Sequence, residues 1–212
     1  MKGKIMVKVH ILGGPGSGKT TLARDLSARF HIPHYDLDLI GHKNGMGNEA
    51  YVEDAFAIAE QPGWVTEGCT LVWIDLLLQR ADSIVLLEVS WPVAAYRIIR
   101  RHITKSLQGT NLHPGITLLF NFLKESRDYF LNTCSASTAE LMSRYLEEHE
   151  EHVEPLDGEG LRAHRERYGI EIMVAPTAKF VHRYLEKYKQ KVILVRNIAD
   201  RERLFELLTQ HQ

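Results

Sequence analysis

Short strand-length runs alternate with segments of helical periodicity along most of this 212-residue chain. The strand candidates are residues 5–12, 33–35, 64–66, 84–89 and 192–195. The longest of them are almost continuously apolar, as is typical of parallel strands covered on both faces. The pattern predicts an α/β fold, a three-layer α/β/α sandwich built around a parallel sheet of about five strands.

Helical periodicity fills the segments between these strands. Its clearest apolar stripe is Leu22, Leu26 and Phe30, which recur four residues apart and would pack on the sheet. Asn48 is interpreted as the N-cap of a helix that follows a turn-rich loop at residues 41–47. The predicted helices are residues 21–30, 49–61, 71–81, 116–131, 138–151, 161–168, 177–188 and 200–208, and one that begins at Trp91-Pro92.

Composition and charge narrow the class of protein. Hydrophobic residues make up 44% and charged residues 25%, as in ordinary globular proteins, and the formal net charge is −1. A nearly neutral chain has no general attraction for nucleic acid or an anionic membrane, and no apolar run is long enough to cross a bilayer. The two cysteines, Cys69 and Cys134, form no metal-type pair, and the N-terminus runs directly into the first strand without room for a cleavable signal. We therefore expect a cytoplasmic protein.

The strongest chemical signal is a glycine-rich stretch between the first strand and the first helix. It fits the pattern GxxxxGK[ST] at every fixed position. Glycines let backbone N–H groups turn toward a phosphate, and the helix N-terminus adds partial positive charge. Lys19 is placed to neutralise phosphate oxygens, and the Thr20 hydroxyl is placed to ligate Mg²⁺. The stretch predicts binding of a nucleoside triphosphate, the alternative being a similar turn without a ligand. The predicted nucleotide-binding residues are Gly13, Gly14, Pro15, Gly16, Ser17, Gly18, Lys19, Thr20 and Thr21.

Carboxylates follow the second and third strands. Alternation sends Asp36 and Asp38 to the same side, beyond the carboxyl end of a parallel strand, where ligands bind in open α/β sheets. A carboxylate there could take a proton from an attacking hydroxyl or hold Mg²⁺ through water, although Asp38 could instead cap a turn. Glu67-Gly68 ends the third strand, and Glu67 is a candidate for Mg²⁺ coordination or substrate contact.

A basic helix face and several histidines add weaker signals. Arg97 and Arg101, with Arg100 between them, lie on the helix after the fourth strand and could stabilise charge on a transferring phosphoryl group. The alternative is an ordinary solvated helix face. His10, close to the glycine-rich stretch, is interpreted as a core histidine rather than a catalytic one. His149 and His152 have a spacing that could hold a metal, but a solvated charged helix is the preferred interpretation.

Together these residues resemble the adenylate-kinase-like branch of P-loop proteins. They are more closely similar to the DNA topology modulation proteins, the FlaR-like group. The resemblance rests on GGPGSGKTTLARDLS, on Asp36 and Asp38, and on Trp64-Val65-Thr66-Glu67-Gly68. It continues through residues 84–101 and Leu123-Lys124-Glu125-Ser126-Arg127, and it covers residues 4–131 and 177–208.

The resemblance implies roles for several residues. Glu67-Gly68 occupies the place of the Asp-Gly pair of adenylate kinases, and Arg97, Arg101 and Arg127 would be lid arginines that close over the phosphates. The Gly-Phe-Pro-Arg continuation of adenylate kinases is absent, which argues against AMP as the acceptor. Residues 135–176 look like an insertion or lid extension in a nucleotide-binding core of residues 1–134 and 177–212.

The leading hypothesis is an ATP-dependent phosphotransferase. Mg²⁺-ATP would donate its γ-phosphoryl group to a small acceptor, such as a nucleotide, a nucleoside or another hydroxyl compound. The catalytic candidates are Lys19, Asp36, Asp38, Arg97 and Arg101, the substrate contacts Asp36, Asp38, Glu67 and Arg127, and the metal contacts Thr20 and Glu67. The alternative is a nucleotide-dependent ATPase or regulator that acts on DNA or a protein partner, although no DNA-binding motif is recognised. Monomer and homodimer both stay open.

Overall fold

The fold is taken from a computed structural model that describes residues 6–44, 49–69, 75–111, 113–149, 159–160, 163, 166–168 and 177–210. Five strands form one sheet in the order β2-β3-β1-β4-β5, and all neighbouring strands are parallel. The strands are β1 (Lys8–Gly13), β2 (His34–Asp36), β3 (Trp64–Glu67), β4 (Ser83–Leu87) and β5 (Val192–Val195). The predicted five-stranded parallel α/β fold is confirmed.

Helices connect the strands and follow them. They are α1 (Lys19–Phe30), α2 (Leu37–Asn44), α3 (Glu49–Ala59), α4 (Asp75–Arg80), α5 (Trp91–Leu107), α6 (Ile116–Leu131), α7 (Ala136–Glu148), α8 (Ala178–Leu185) and α9 (Ile198–Gln210). A short 3₁₀ turn, Glu186–Tyr188, extends α8. In the part of the chain that the structure describes, no helix is both long and apolar enough to cross a membrane.

Alternation along β1 builds a core on each face of the sheet. Val9 and Ile11 belong to one cluster, which α1 and α9 cover, with Leu26 of α1 fully buried. Leu12 belongs to the cluster on the other face, with side chains from α3, α4, α7 and α8. Because helices pack against both faces of the sheet, the chain forms a three-layer α/β/α arrangement.

The segment after β2 differs from the expectation. Residues 37–44 form α2, whereas residues 41–44 were predicted to lie in a loop. The helix begins directly after β2 because the Leu39 N–H donates to Asp36 Oδ1 at 3.0 Å, so Asp36 is the N-cap. The structure therefore gives to Asp36 the capping role considered for Asp38. The predicted cap Asn48 lies outside the described residues.

The described part of residues 135–176 packs on the main core. Its helix α7 begins at Ala136, two residues before the predicted start, because Ser135 Oγ accepts from the Thr138 N–H at 3.1 Å. Tyr145 of α7 is buried, and its ring lies 6.2 Å from that of Phe180 in α8. The division of the chain into a core and an insertion stays a prediction. His152 and most of residues 150–176 lie outside the described residues.

His10 is buried in the middle of the sheet. It is fully inaccessible, and its Nδ1 lies 2.8 Å from Thr66 Oγ1 on β3, the neighbouring strand. Burial lowers the pKa of His10 from 6.5 to about 3, because the imidazolium would lose its hydration. The residue is therefore a neutral core histidine at physiological pH.

Acid should destabilise the protein through His10. Its folded pKa lies below its unfolded value, so between pH 6.5 and about 3 the unfolded state binds more protons. The free energy of unfolding should thus fall by about 1.4 kcal/mol for each pH unit below 6.5, from this group alone. Urea unfolding at stepwise pH measures the slope, and His10→Asn should flatten it, while His113→Gln at an exposed position should not. An NMR titration of the His10 ring with a midpoint near 6.5 would contradict the assignment.

Candidate active site

The glycine-rich loop joins the carboxyl end of β1 to the N-terminus of α1. Gly16 and Gly18 adopt φ values of +73° and +104°, which favour glycine, and a Cβ at Gly16 would lie 2.7 Å from the Ala94 carbonyl oxygen. Helix α5 therefore packs directly against the loop. The loop has the curled backbone that brings successive N–H groups to a phosphate.

The side chains around the loop fit a triphosphate. Lys19 Nζ donates to the Gly13 carbonyl at 2.8 Å, so the ammonium group lies over the loop. The buried Ser17 hydroxyl has no hydrogen-bond partner among the described residues. Together with the N–H groups in the first turn of α1, these donors would hold the phosphates of ATP.

Arg97 is the predicted arginine that the structure brings to the loop. Its Nη1 donates to the Ser17 carbonyl at 2.8 Å and lies 3.4 Å from the Gly16 carbonyl. Arg101 is exposed one turn further along α5. Arg127 on α6 pairs instead with its neighbour Asp128 at 3.8 Å, and its side chain is more than half exposed. Of the three, Arg97 is thus the one that contacts the loop.

The predicted carboxylates meet beside the loop. Asp36 and Glu67 are register partners at the ends of β2 and β3, and Glu67 also pairs with Ile11 of β1. Asp38 follows in the first turn of α2, where a Cβ at Gly68 would lie 3.3 Å from its Oδ1. A side chain at position 68 would crowd Asp38, which is a physical reason for glycine there.

Asp38 is a partly buried carboxyl group that lies near Lys19. Burial raises the pKa of Asp38, and the nearby Asp36 and Glu67 carboxylates raise it further. Lys19 acts in the opposite direction, as does the Cys69 N–H that hydrogen-bonds to the carboxylate. A carboxyl group whose pKa lies above the ordinary 3.8, next to the loop lysine, is suited to accept a proton.

Glu67 is almost completely buried, with 2% of its surface exposed. Its Oε1 lies 3.4 Å from His34 Nε2, but neither atom has a hydrogen-bond partner among the described residues. A carboxylate oxygen of this kind, with the Thr20 hydroxyl in the first turn of α1, fits a phosphate-bound Mg²⁺ that keeps several waters. Among the described residues, no three His, Cys, Asp or Glu side chains could hold a metal ion as a group.

Two residues that the sequence reasoning missed contact the loop. The Cys69 thiol donates to the Gly13 carbonyl at 2.8 Å, and burial raises the pKa of that thiol. Tyr129 of α6 packs on Gly14, where a Cβ would lie 2.5 Å from the Tyr129 ring. Cys69 directly follows Glu67-Gly68, a position that could have marked it as a candidate. Tyr129 carries no such signal, because only the packing of α6 brings it to the loop.

Substitution of the two aspartates should change stability in opposite directions. Asp38→Asn removes a buried charge, so the free energy of unfolding should rise at pH 7, where the unfolded carboxyl group is ionised. The gain should vanish below the ordinary pKa of 3.8, where both states are protonated. Asp36→Ala removes the cap of α2 and should cost about 1 kcal/mol. Urea unfolding at pH 7 and at a pH below 3.8 measures these effects. If Asp38→Asn were less stable than the wild-type protein at pH 7, the buried Asp38 charge would not cost free energy as we infer.

No protein-family model and no curated protein matches the sequence. Solved structures that resemble the chain include shikimate kinase from Bacteroides thetaiotaomicron, with 20% identity, a TM-score of 0.39 and coverage of 61% of this chain and 83% of that one. Shikimate kinase from Acinetobacter baumannii, in complex with shikimate, has 16% identity and a TM-score of 0.36 over 69% of this chain and 94% of that one. A gluconokinase from Sinorhizobium meliloti 1021 has 16% identity and a TM-score of 0.39 over 99% of each chain. Likeness at this level does not assign a function, which has to come from the side chains around the loop.

Proposed function

We propose that this protein is an ATP-dependent phosphotransferase that acts on a small hydroxyl compound. The observation that carries the proposal is Asp38, a largely buried carboxyl group beside Lys19 of the glycine-rich loop. A loop that only bound nucleotide would have no need of a proton acceptor in this position. The further likeness to DNA topology modulation proteins stays a prediction.

In the proposed reaction, the phosphoryl group and the acceptor proton each have a defined destination. ATP, with Mg²⁺, supplies the γ-phosphoryl group. The acceptor oxygen forms a bond to the γ-phosphorus, the bond from that phosphorus to the β–γ bridging oxygen breaks, and ADP leaves. The proton of the acceptor hydroxyl passes to the Asp38 carboxylate.

The other residues of the site would position the substrates and stabilise the charge that develops during transfer. Lys19 and Arg97 place positive charge at the loop, where charge spreads over the phosphoryl oxygens during transfer. Thr20 and Glu67 would hold the metal, directly or through water. Asp36 fixes the start of α2 as its N-cap, and so holds Asp38 two residues later.

Transfer to an acceptor is the direct test. With labelled ATP and a panel of nucleosides, nucleotides, sugars and amino alcohols, we expect a labelled acceptor product. Lys19→Ala should abolish that product and weaken ATP binding at least tenfold by calorimetry, because the triphosphate loses a charge-assisted contact. Lys105→Ala, at an exposed position on α5, is the matched control. Hydrolysis that no acceptor increases, or that DNA stimulates, would favour the ATPase or regulator instead.

The pH profile should identify the proton acceptor. Because burial raises the pKa of Asp38, the acidic limb of kcat/KM should lie above the range of an ordinary aspartate, with activity rising as Asp38 ionises. Asp38→Asn should lower kcat by roughly 100-fold or more and remove the limb. Asp36→Asn should keep most of the activity and the acidic limb. It is a suitable control because any pH dependence that comes from the ionisation of ATP affects both variants equally. The opposite outcome would assign the base to Asp36.

A further inference from the structure

The acceptor side of the site carries an excess of negative charge. Asp36 and Glu67 are register partners on adjacent strands, and the Asp38 carboxyl group lies against Gly68, the residue after Glu67. These three groups converge on the side of the loop formed by β2 and β3. Arg97 reaches the loop from α5, after β4, on the other side of β1.

Lys19 of the loop acts on Asp38, but the segment that carries the three carboxylates supplies almost no cation of its own. The described residues that build this side of the site lie within residues 32–44 and 49–69, which contain one Lys or Arg, namely Lys43. Their acidic residues are Asp36, Asp38, Glu49, Glu53, Asp54, Glu60 and Glu67. Proteins that bind a phosphate or carboxylate group commonly supply an arginine that can donate two parallel hydrogen bonds. Residues 32–69 contain no arginine.

Glu67 adds an independent observation that points to a ligand. Its side chain is more than nine-tenths buried, and its Oε1 accepts no hydrogen bond from any described residue, with His34 Nε2 the nearby polar atom at 3.4 Å. A buried carboxylate oxygen without a donor is costly in free energy. An O–H or N–H group of a bound acceptor, or a water held by Mg²⁺, would remove that cost, whereas an anionic group would raise it.

We infer that the phosphoryl acceptor is a hydroxyl compound with no anionic group, either neutral, such as a polyol or nucleoside, or cationic, such as an amino alcohol. This inference rests on the proposed phosphotransfer. The Asp36, Asp38 and Glu67 carboxylates repel an acceptor that carries a carboxylate or phosphate and accept hydrogen bonds from hydroxyl and ammonium groups. Charge at this side thus selects the acceptor, while the loop selects the donor.

Compounds matched in skeleton but not in charge test the inference. The wild-type protein is assayed for label transfer from ATP to glucose, gluconate and glucosamine, to adenosine and AMP, and to wider pools of polyols, amino alcohols, sugar acids and nucleotides. We expect products in the neutral or amine pools, with kcat/KM about tenfold or more below theirs for anionic partners of the same skeleton. Transfer to anionic acceptors alone would overturn the inference and leave the phosphotransferase standing. Transfer to no pool, with ATP binding intact, would overturn the proposed function and the inference with it.

A substitution at Glu67 tests whether the carboxylates set the preference. Glu67→Gln keeps the shape of the side chain and removes its charge, so the ratio of kcat/KM for anionic to neutral acceptors should rise about tenfold. Glu60→Gln is the control, because Glu60 is 71% exposed and pairs with Arg80 at 3.5 Å. If Glu67→Gln does not fold, or transfers no label because Mg²⁺ binding is lost, Asp36→Asn takes its place with the same expected direction. An unchanged ratio in the folded variant would overturn the inference.

Discussion

Parallel pairing of β1 with β3 on one edge and β4 on the other is the constraint on which the site depends. It brings the carboxyl ends of these strands to one side of the sheet, where the glycine-rich loop follows β1. Because β2 pairs with β3, the segment after β2 reaches the same place. The connections that leave these ends, α2 on one flank and α5 on the other, therefore face the loop from opposite directions.

This arrangement separates charge around the loop. Lys19 lies over it, and Arg97 closes it from α5 through two of its carbonyl oxygens. The carboxylates Asp38 and Glu67 lie on the β2–β3 side. In the proposed reaction, a phosphoryl group held by the cations would meet an acceptor held by the carboxylates.

The elements with strong local signals could be predicted from the sequence. The continuous apolar run of β5 and the fixed residues of the loop each specify their structure within a few neighbours, and α6 was predicted at Ile116–Leu131, where the structure places it. The start of α2 was not foreseen, because a capping contact from Asp36 decided it. The packing of Tyr129 on Gly14 joins residues more than a hundred positions apart, and no local pattern encodes it.

Buried polar atoms without hydrogen-bond partners connect the fold to its proposed function. Among the described residues, several buried side-chain atoms have no hydrogen bond. Five belong to the loop or to β1, β2 and β3, namely His10 Nε2, Ser17 Oγ, His34 Nε2, Trp64 Nε1 and Glu67 Oε1, and two lie elsewhere, Ser126 Oγ on α6 and Lys187 Nζ in the turn after α8. Each such group costs about 1–3 kcal/mol in a folded protein. The core that α1 and α9 form on one face of the sheet is built from apolar side chains, and none of these buried unpaired atoms belongs to it. Ser17 Oγ and Glu67 Oε1 lie where the proposed ligands would supply the missing partners, and this links the fold to the proposed function.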